Sequence, residues 1–382
     1  MTRGDNLQLQ HRQRRTQRAE YLTKRLAKSL AACLAGLLSC AVVAPAAELE
    51  LEAPEAEAAP ELHLPPPIEQ AAIDAAVLSG LRYLASVQGS NGRFGNGIAV
   101  TAIAGMAFLS GGHTPSRGAY RGACRNALEA ILENQDPVTG YLGANSFGNY
   151  YDHGFATLFL AECYGMSPDP RVADALQAAI EHIHQAQNHE GGWRYQPNPR
   201  QADMSVTVSQ IMALRAAYNV GIGGVDSQRC MERALGFVRA CFRPDGSFAY
   251  LANSRSRQGP SAVPLTASGA MSLIGAGITS EEHALLGPSL AFLRQHYPAH
   301  LLGQGMYHWY GQYYTAQALF HSPRRADWQE YWRRASYQLL REQSDTGAWE
   351  THMGHGASAS YCTGMALIIL QIPNNYLPIF QR

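Results

Sequence analysis

One short pattern recurs along the chain and limits what it can fold into. A glutamine, a glycine four residues on and an aromatic two beyond that stand at Gln88-Gly92-Phe94, Gln187-Gly191-Trp193 and Gln343-Gly347-Trp349. Gln135-Gly140-Tyr141 is a looser copy with one residue inserted, and Phe242-Gly246-Phe248 keeps the glycine and aromatic without the glutamine. The anchors lie 47, 52, 55 and 101 positions apart, so the last gap holds two periods and predicts a degenerate copy between Gln295 and Gly305. Six units of about fifty residues follow, each too small to bury its own apolar face and therefore stacked on its neighbours.

Each unit carries two kinds of helix. The one before the turn is one-sided: Ile73, Val77, Leu81 and Leu84 in the first unit, Val172, Leu176, Ile180 and Ile183 in the third, Trp328, Trp332, Ala335 and Leu339 in the last. Steps of three and four make a single stripe against a core. The one after the turn is apolar nearly all round, as in VTAIAGMAFL, GFATLFLAE and CTGMALIIL, and such a helix is buried on every face. Six one-sided helices outside and six all-round helices inside predict an all-α fold, a closed α/α toroid of six hairpins. The inner N-termini then share one mouth. The turn aromatics Phe94, Trp193, Phe248 and Trp349 repeat with the architecture, which gives them a structural role.

The chain has 30 basic and 30 acidic residues, and the balance hides an asymmetry. Residues 1–28 hold eight basic side chains against Asp5 and Glu20, leaving 22 basic and 28 acidic beyond them. A net-acidic body has no electrostatic reason to seek nucleic acid. The basic flank, the short apolar run Ser29–Ala47 and its Ala-Pro-Ala end predict an export signal within 1–47, with a mature start near Glu48 in the periplasm or outside the cell. Two other readings keep the protein at the membrane through this segment alone: lipidation of Cys40 in Leu37-Leu38-Ser39-Cys40, or retention as an anchor. Residues 48–67 are acidic and proline-rich and read as a linker, and 68–382 as the toroid domain. The five remaining cysteines are odd in number and scattered, which predicts small buried residues and no bridge.

The turn between an outer and an inner helix resembles the prenyltransferase and squalene oxidase repeat of squalene–hopene cyclases, oxidosqualene cyclases and protein prenyltransferase β subunits. The resemblance runs from about Ile68 to Leu370 and implies a terpenoid cyclase/protein prenyltransferase-like barrel. It also implies places for that family's chemistry, which this sequence fills differently. The cyclase acid motif D-x-D-D falls on Asp203, Ser205 and Val206, and a serine hydroxyl is far too weak to protonate an alkene. The prenyltransferase zinc pattern D-x-C becomes Asp203-x-Ser205, and Ser360 stands about where its histidine belongs. Serine is a poor zinc ligand. No metal and no cofactor is expected.

At the starts of the inner helices stand Tyr150, Tyr151, Asp152 and His153; Asp203, Ser205 and Thr207; His308, Trp309, Tyr310, Tyr313 and Tyr314; and Tyr361 and Cys362. His352 and His355 lie in a glycine-rich loop rather than at helical spacing, a weak metal signal. Asp203, Asp152 and His153 are the catalytic candidates; Tyr151, Ser205, His308, Tyr310, Tyr314 and Tyr361 are the ligand-binding ones. Helix capping is the commoner role for the aspartates, and core packing for the tyrosines. Three functions fit: a toroid whose mouth binds a hydrophobic, isoprenoid-like ligand or a protein segment; a divergent cyclase- or prenyltransferase-like enzyme; or a glycan-active enzyme using Asp152 and Asp203, whose inverting form needs carboxylates about 6.5–9.5 Å apart.

Overall fold

The computed structural model describes residues 64–95, 97–143, 150–254, 262–302, 307–350 and 358–381. Twelve α-helices run through them: α1 Gln70–Val87, α2 Ile98–Ser110, α3 Arg121–Glu133, α4 Tyr150–Met166, α5 Pro170–Ala186, α6 Met204–Asn219, α7 Gly224–Cys241, α8 Val263–Gly275, α9 Leu286–Leu302, α10 His308–Phe320, α11 Arg325–Glu342 and α12 Ala359–Gln371. The only extended pairing among these residues is a single bridge between Phe242 and Phe248. Even-numbered helices form the inner ring, each packed on the next, and α12 packs on both α1 and α2 to close it. The predicted fifth hairpin is present as α9 and α10. The residues between them, 303–306, lie outside the described residues, as do His352 and His355 and the whole segment 1–63.

The repeated turn is a staple. Each glutamine donates from Nε2 to the carbonyl of its own turn glycine and to a carbonyl of the next outer helix. Gln88 bonds Gly92 and Ala123, Gln135 bonds Gly140 and Ala175, and Gln187 bonds Gly191 and Cys230. In the last unit Gln343 reaches Gly347 and Ala76 of α1, so the same bond that joins neighbours also joins the chain's two ends. The glycine is required twice over. Gly191 has φ +89°, and a Cβ there would collide with the backbone carbonyl of Arg233 on α7. The aromatic anchors the outer helix, since the indoles of Trp193 and Trp349 donate to Ile183 and Leu339 carbonyls at 3.0 and 2.8 Å.

A further part of the staple comes from the inner helix. The backbone N–H groups of Phe94, Trp193, Phe248 and Trp349 donate to Thr101, Thr207, Thr266 and Thr363. In the second unit that N–H belongs to Leu142 and its acceptor is His153 Nδ1, at 3.1 Å. Leu142, not Tyr141, therefore holds the aromatic position there, and His153 takes the threonine's place. The C-terminal ends of the inner helices are sealed differently. Two 3₁₀ turns, Ile372–Asn374 and Pro378–Phe380, bury Ile379 and Phe380, and Ile379 N–H donates to Glu162 Oε2 of α4 at 3.3 Å. All five cysteines beyond the N-terminal segment are buried and unbridged. No helix among the described residues is long and apolar enough to cross a membrane.

Candidate active site at the inner-helix N-termini

The inner helices are parallel, so like ends meet. At the N-terminal face Asp203 is the N-cap of α6, its Oδ1 accepting from Val206 N–H at 2.9 Å and from Ser205 Oγ at 2.7 Å. Ser205 in turn accepts from the phenol of Tyr151 on α4 at 2.6 Å. A hydrogen-bonded chain thus runs from a fully buried carboxyl through a serine to a half-buried tyrosine. Burial raises the pKa of Asp203, opposed by its hydrogen bonds from Ser205 and Val206 and by the charge of Arg194. The Tyr151 phenol is pushed well up, by burial first and then by the Asp203 charge.

Oδ2 of Asp203 meets no donor at close hydrogen-bond geometry among the described residues; it faces Arg194 Nε at 3.6 Å, and Tyr250 also lowers the carboxyl's pKa. Arg194 comes from the loop after the third turn. Its guanidinium carbon lies 5.6 Å from the ring centroids of both Tyr195 and Tyr250, whose hydroxyls are hydrogen-bonded to each other at 2.7 Å. Tyr195 also meets Tyr151, centroid to centroid at 6.3 Å. Behind Tyr151 the ring is filled by aromatics. Tyr310 stands edge-on to it at 6.5 Å and donates to the Ser205 carbonyl at 3.1 Å, and Tyr310, Tyr314 and Tyr313 of α10 pack T-shaped in series. Tyr361 of α12 adjoins Tyr313 and Tyr314, and the phenols of all three are raised by burial.

The other candidates hold structure elsewhere. Asp152 is buried on α4 and turns toward the opposite neighbour, its Oδ1 accepting from Ala99 N–H in the first turn of α2 at 2.6 Å. The aspartate beside Tyr151 therefore serves α2, while Tyr151 serves α6. His153 is fully buried with both ring nitrogens engaged, Nδ1 with Leu142 N–H and Nε2 with the Ala179 carbonyl at 3.1 Å. Burial, then the neighbouring His182, lowers its pKa to about 3. His308 stacks on His300 with centroids 5.8 Å apart, and burial lowers His300 to about 4. Among the described residues no three His, Cys, Asp or Glu side chains converge as metal ligands. At the C-terminal face lies a separate cavity of about 440 Å³ lined by Met212, Arg215, Met271, Ile274, His321 and Ile379.

No protein-family model and no curated protein matches this sequence. Solved structures do match over most of the chain. The GH76A α-1,6-mannanase of Salegentibacter sp. HEL1_6 is 9% identical with a TM-score of 0.58, covering 78% of this chain and 98% of that one. An unsaturated glucuronyl hydrolase specific for heparin is 10% identical with a TM-score of 0.59, covering 79% and 96%. Cellobiose 2-epimerase from Spirochaeta thermophila DSM 6192 is 14% identical with a TM-score of 0.53, covering 72% and 85%. The α/α toroid is the fold these proteins share with this chain. They are proteins of sugar chemistry, so the resemblance to squalene cyclases and prenyltransferase β subunits is overturned, and the isoprenoid-like ligand that rested on it goes with it. The physical reason is visible in the turn. Glutamine, glycine and aromatic staple one hairpin to the next, which any toroid of this build needs whatever its chemistry.

Of the residues in this cluster, the sequence named Asp203, Ser205, Tyr151 and Tyr310 as candidates and did not name Arg194, Tyr195 and Tyr250. These stand in loops outside the helical pattern. The one available signal was that Arg194 and Tyr195 directly follow the third turn's tryptophan.

Proposed function

We propose that the N-terminal mouth is the active site of a glycan-active enzyme that hydrolyses a glycosidic bond. The observation that carries the reading is the chain Asp203–Ser205–Tyr151, which links a buried carboxyl of raised pKa to a half-buried phenol among aromatic rings. The faces of Tyr151, Tyr195 and Tyr250 suit the apolar faces of a sugar, and a few convergent polar groups among aromatics are what a small-molecule site needs. A carboxyl whose pKa burial raises is a general acid poised nearer neutrality than an exposed one. At rest the hydroxyls point inward, Tyr151 to Ser205 and Ser205 to Asp203 Oδ1; with both turned outward and Asp203 protonated, the proton passes from Asp203 Oδ1 to Ser205, from Ser205 to Tyr151, and from Tyr151 to the departing glycosidic oxygen. Water supplies a hydroxyl to the anomeric carbon, and its remaining proton restores Asp203 along the same chain. Asp152 supports the site from the side, holding the first turn of α2. The likeness in fold to a mannanase, a glucuronyl hydrolase and an epimerase supports the substrate class.

The test is product analysis on a panel that includes α-1,6-mannan oligosaccharides, unsaturated heparin disaccharides and cello-oligosaccharides, with Asp203→Asn as control. Cleavage of at least one substrate is expected, reduced about 100-fold or more in the variant. No binding and no cleavage anywhere on the panel, or an unaffected Asp203→Asn, overturns the reading.

A further inference from the structure

We propose that the saccharide taken by this mouth is acidic, and that Arg194 binds its carboxylate or sulfate group; this rests on the glycan-active reading above. An arginine fork reaches full strength in paired, charge-assisted bonds of about 2.7–2.9 Å. Arg194 has none. Its contact with Asp203 is from Nε at 3.6 Å, and among the described residues its one hydrogen bond is a long 3.4 Å from Nη1 to Gln201 Oε1 and Nη2 makes none. The side chain is 31% exposed, which leaves it open to a ligand from solvent.

The guanidinium is nevertheless fixed. Two tyrosine rings at 5.6 Å flank it, and the bond between their hydroxyls ties Tyr195 of one loop to Tyr250 of the next. A cation held this way has already lost the rotamer freedom that binding removes, which favours tight capture of an oxyanion. Its own counter-charge is loosely held, since Asp203 Oδ2 lies 3.6 Å from Nε. The nearby carboxylate of Glu190 is occupied, accepting from Ala202 N–H at 2.6 Å. Tyr195, one of the two rings that clamp Arg194, adjoins Tyr151, so an anionic group on the fork places the attached sugar beside the proton chain.

A glycan array with matched neutral, uronate and sulfated oligosaccharides tests this with the full-length protein, and Arg194→Gln and Arg194→Lys are probed alongside. Wild-type protein is expected to retain acidic glycans over their neutral counterparts, with affinity that falls as salt rises. Arg194→Gln should weaken acidic binding about ten- to a hundredfold, and Arg194→Lys should lie between. Which acidic class is retained distinguishes a carboxylate ligand from a sulfate. Retention of neutral glycans as strongly as acidic ones overturns this inference and leaves the glycan-active reading standing. Acidic retention that survives Arg194→Gln also overturns it. No retention of any glycan removes both. The wild-type preference needs no variant, so misfolding of Arg194→Gln does not blunt the test.

Discussion

The staple makes a sharp quantitative prediction at Gly191. Both Gly191 and Gly221 have positive φ, +89° and +81°, so alanine at either position carries the left-handed penalty of about 1–2 kcal/mol. At Gly221 a Cβ meets nothing within 4 Å, and that penalty is the whole cost. At Gly191 the Cβ meets the Arg233 carbonyl, which is backbone and has no rotamer to change. Helix α7 must back away, stretching the 2.8 Å bond from Gln187 Nε2 to Cys230 on that helix. Losing one buried hydrogen bond costs about 1–1.5 kcal/mol, so Gly191→Ala should cost about 3 kcal/mol against about 1.5 for Gly221→Ala. For a domain of this size 1 kcal/mol moves Tm by about 2 °C, giving drops of about 6 and 3 °C by scanning calorimetry. Equal losses at the two glycines would falsify the claim that the turn's glycine exists to let the next hairpin approach.

Other outcomes follow from the same contacts. Gln343→Ala removes the bonds that join the last unit to Ala76, and urea denaturation should show a loss of about 2 kcal/mol; no loss would mean that the ring does not depend on this closure. His153 and His300 have folded pKa values of about 3 and 4, below the ordinary 6.5, so the unfolded chain binds protons that the folded one refuses. Stability is therefore expected to fall as pH drops from about 6.5 toward 3, by up to about 3 kcal/mol per histidine at pH 4, and His153→Gln should flatten that limb of a Tm–pH curve. Glu162 has the opposite signature: burial lifts its folded pKa to about 8 from 4.5, so its penalty grows as pH rises from 4.5 through 8. Glu162→Gln should raise Tm at pH 9 and leave it nearly unchanged at pH 4; a variant that melts lower at pH 9 contradicts this. Asp203→Asn keeps a side-chain oxygen for Val206 and Ser205, so it should lose no more than about 1 kcal/mol while losing activity.

The turn pattern made the toroid legible, because glutamine, glycine and ring each meet a fixed geometric demand at fixed spacing. The threonine that completes each staple was not legible. It follows the turn residue by 7 positions at Thr101, by 14 at Thr207 and Thr363, and by 18 at Thr266, since the loop between turn and inner helix varies in length. Without that anchor Tyr141 looked like the second unit's aromatic and His153 like a free histidine. Asp203 was readable as a cap because it caps its own helix. Capping was the commoner reading for Asp152 too, but the helix it serves was not legible, because the N–H it accepts from lies 53 residues earlier, on the neighbouring inner helix. Arg194, Tyr195 and Tyr250 come together from two loops, and no periodicity along the chain marks such a meeting.

The central claim is that the N-terminal mouth takes a saccharide beside Asp203. A crystal structure of Asp203→Asn soaked with an oligosaccharide that the wild type binds tests it most directly. The account predicts a sugar ring against Tyr151 and Tyr195, with its leaving-group oxygen within hydrogen-bond reach of the Tyr151 phenol. A sugar found instead in the opposite cavity beside Met212 and Arg215 contradicts it.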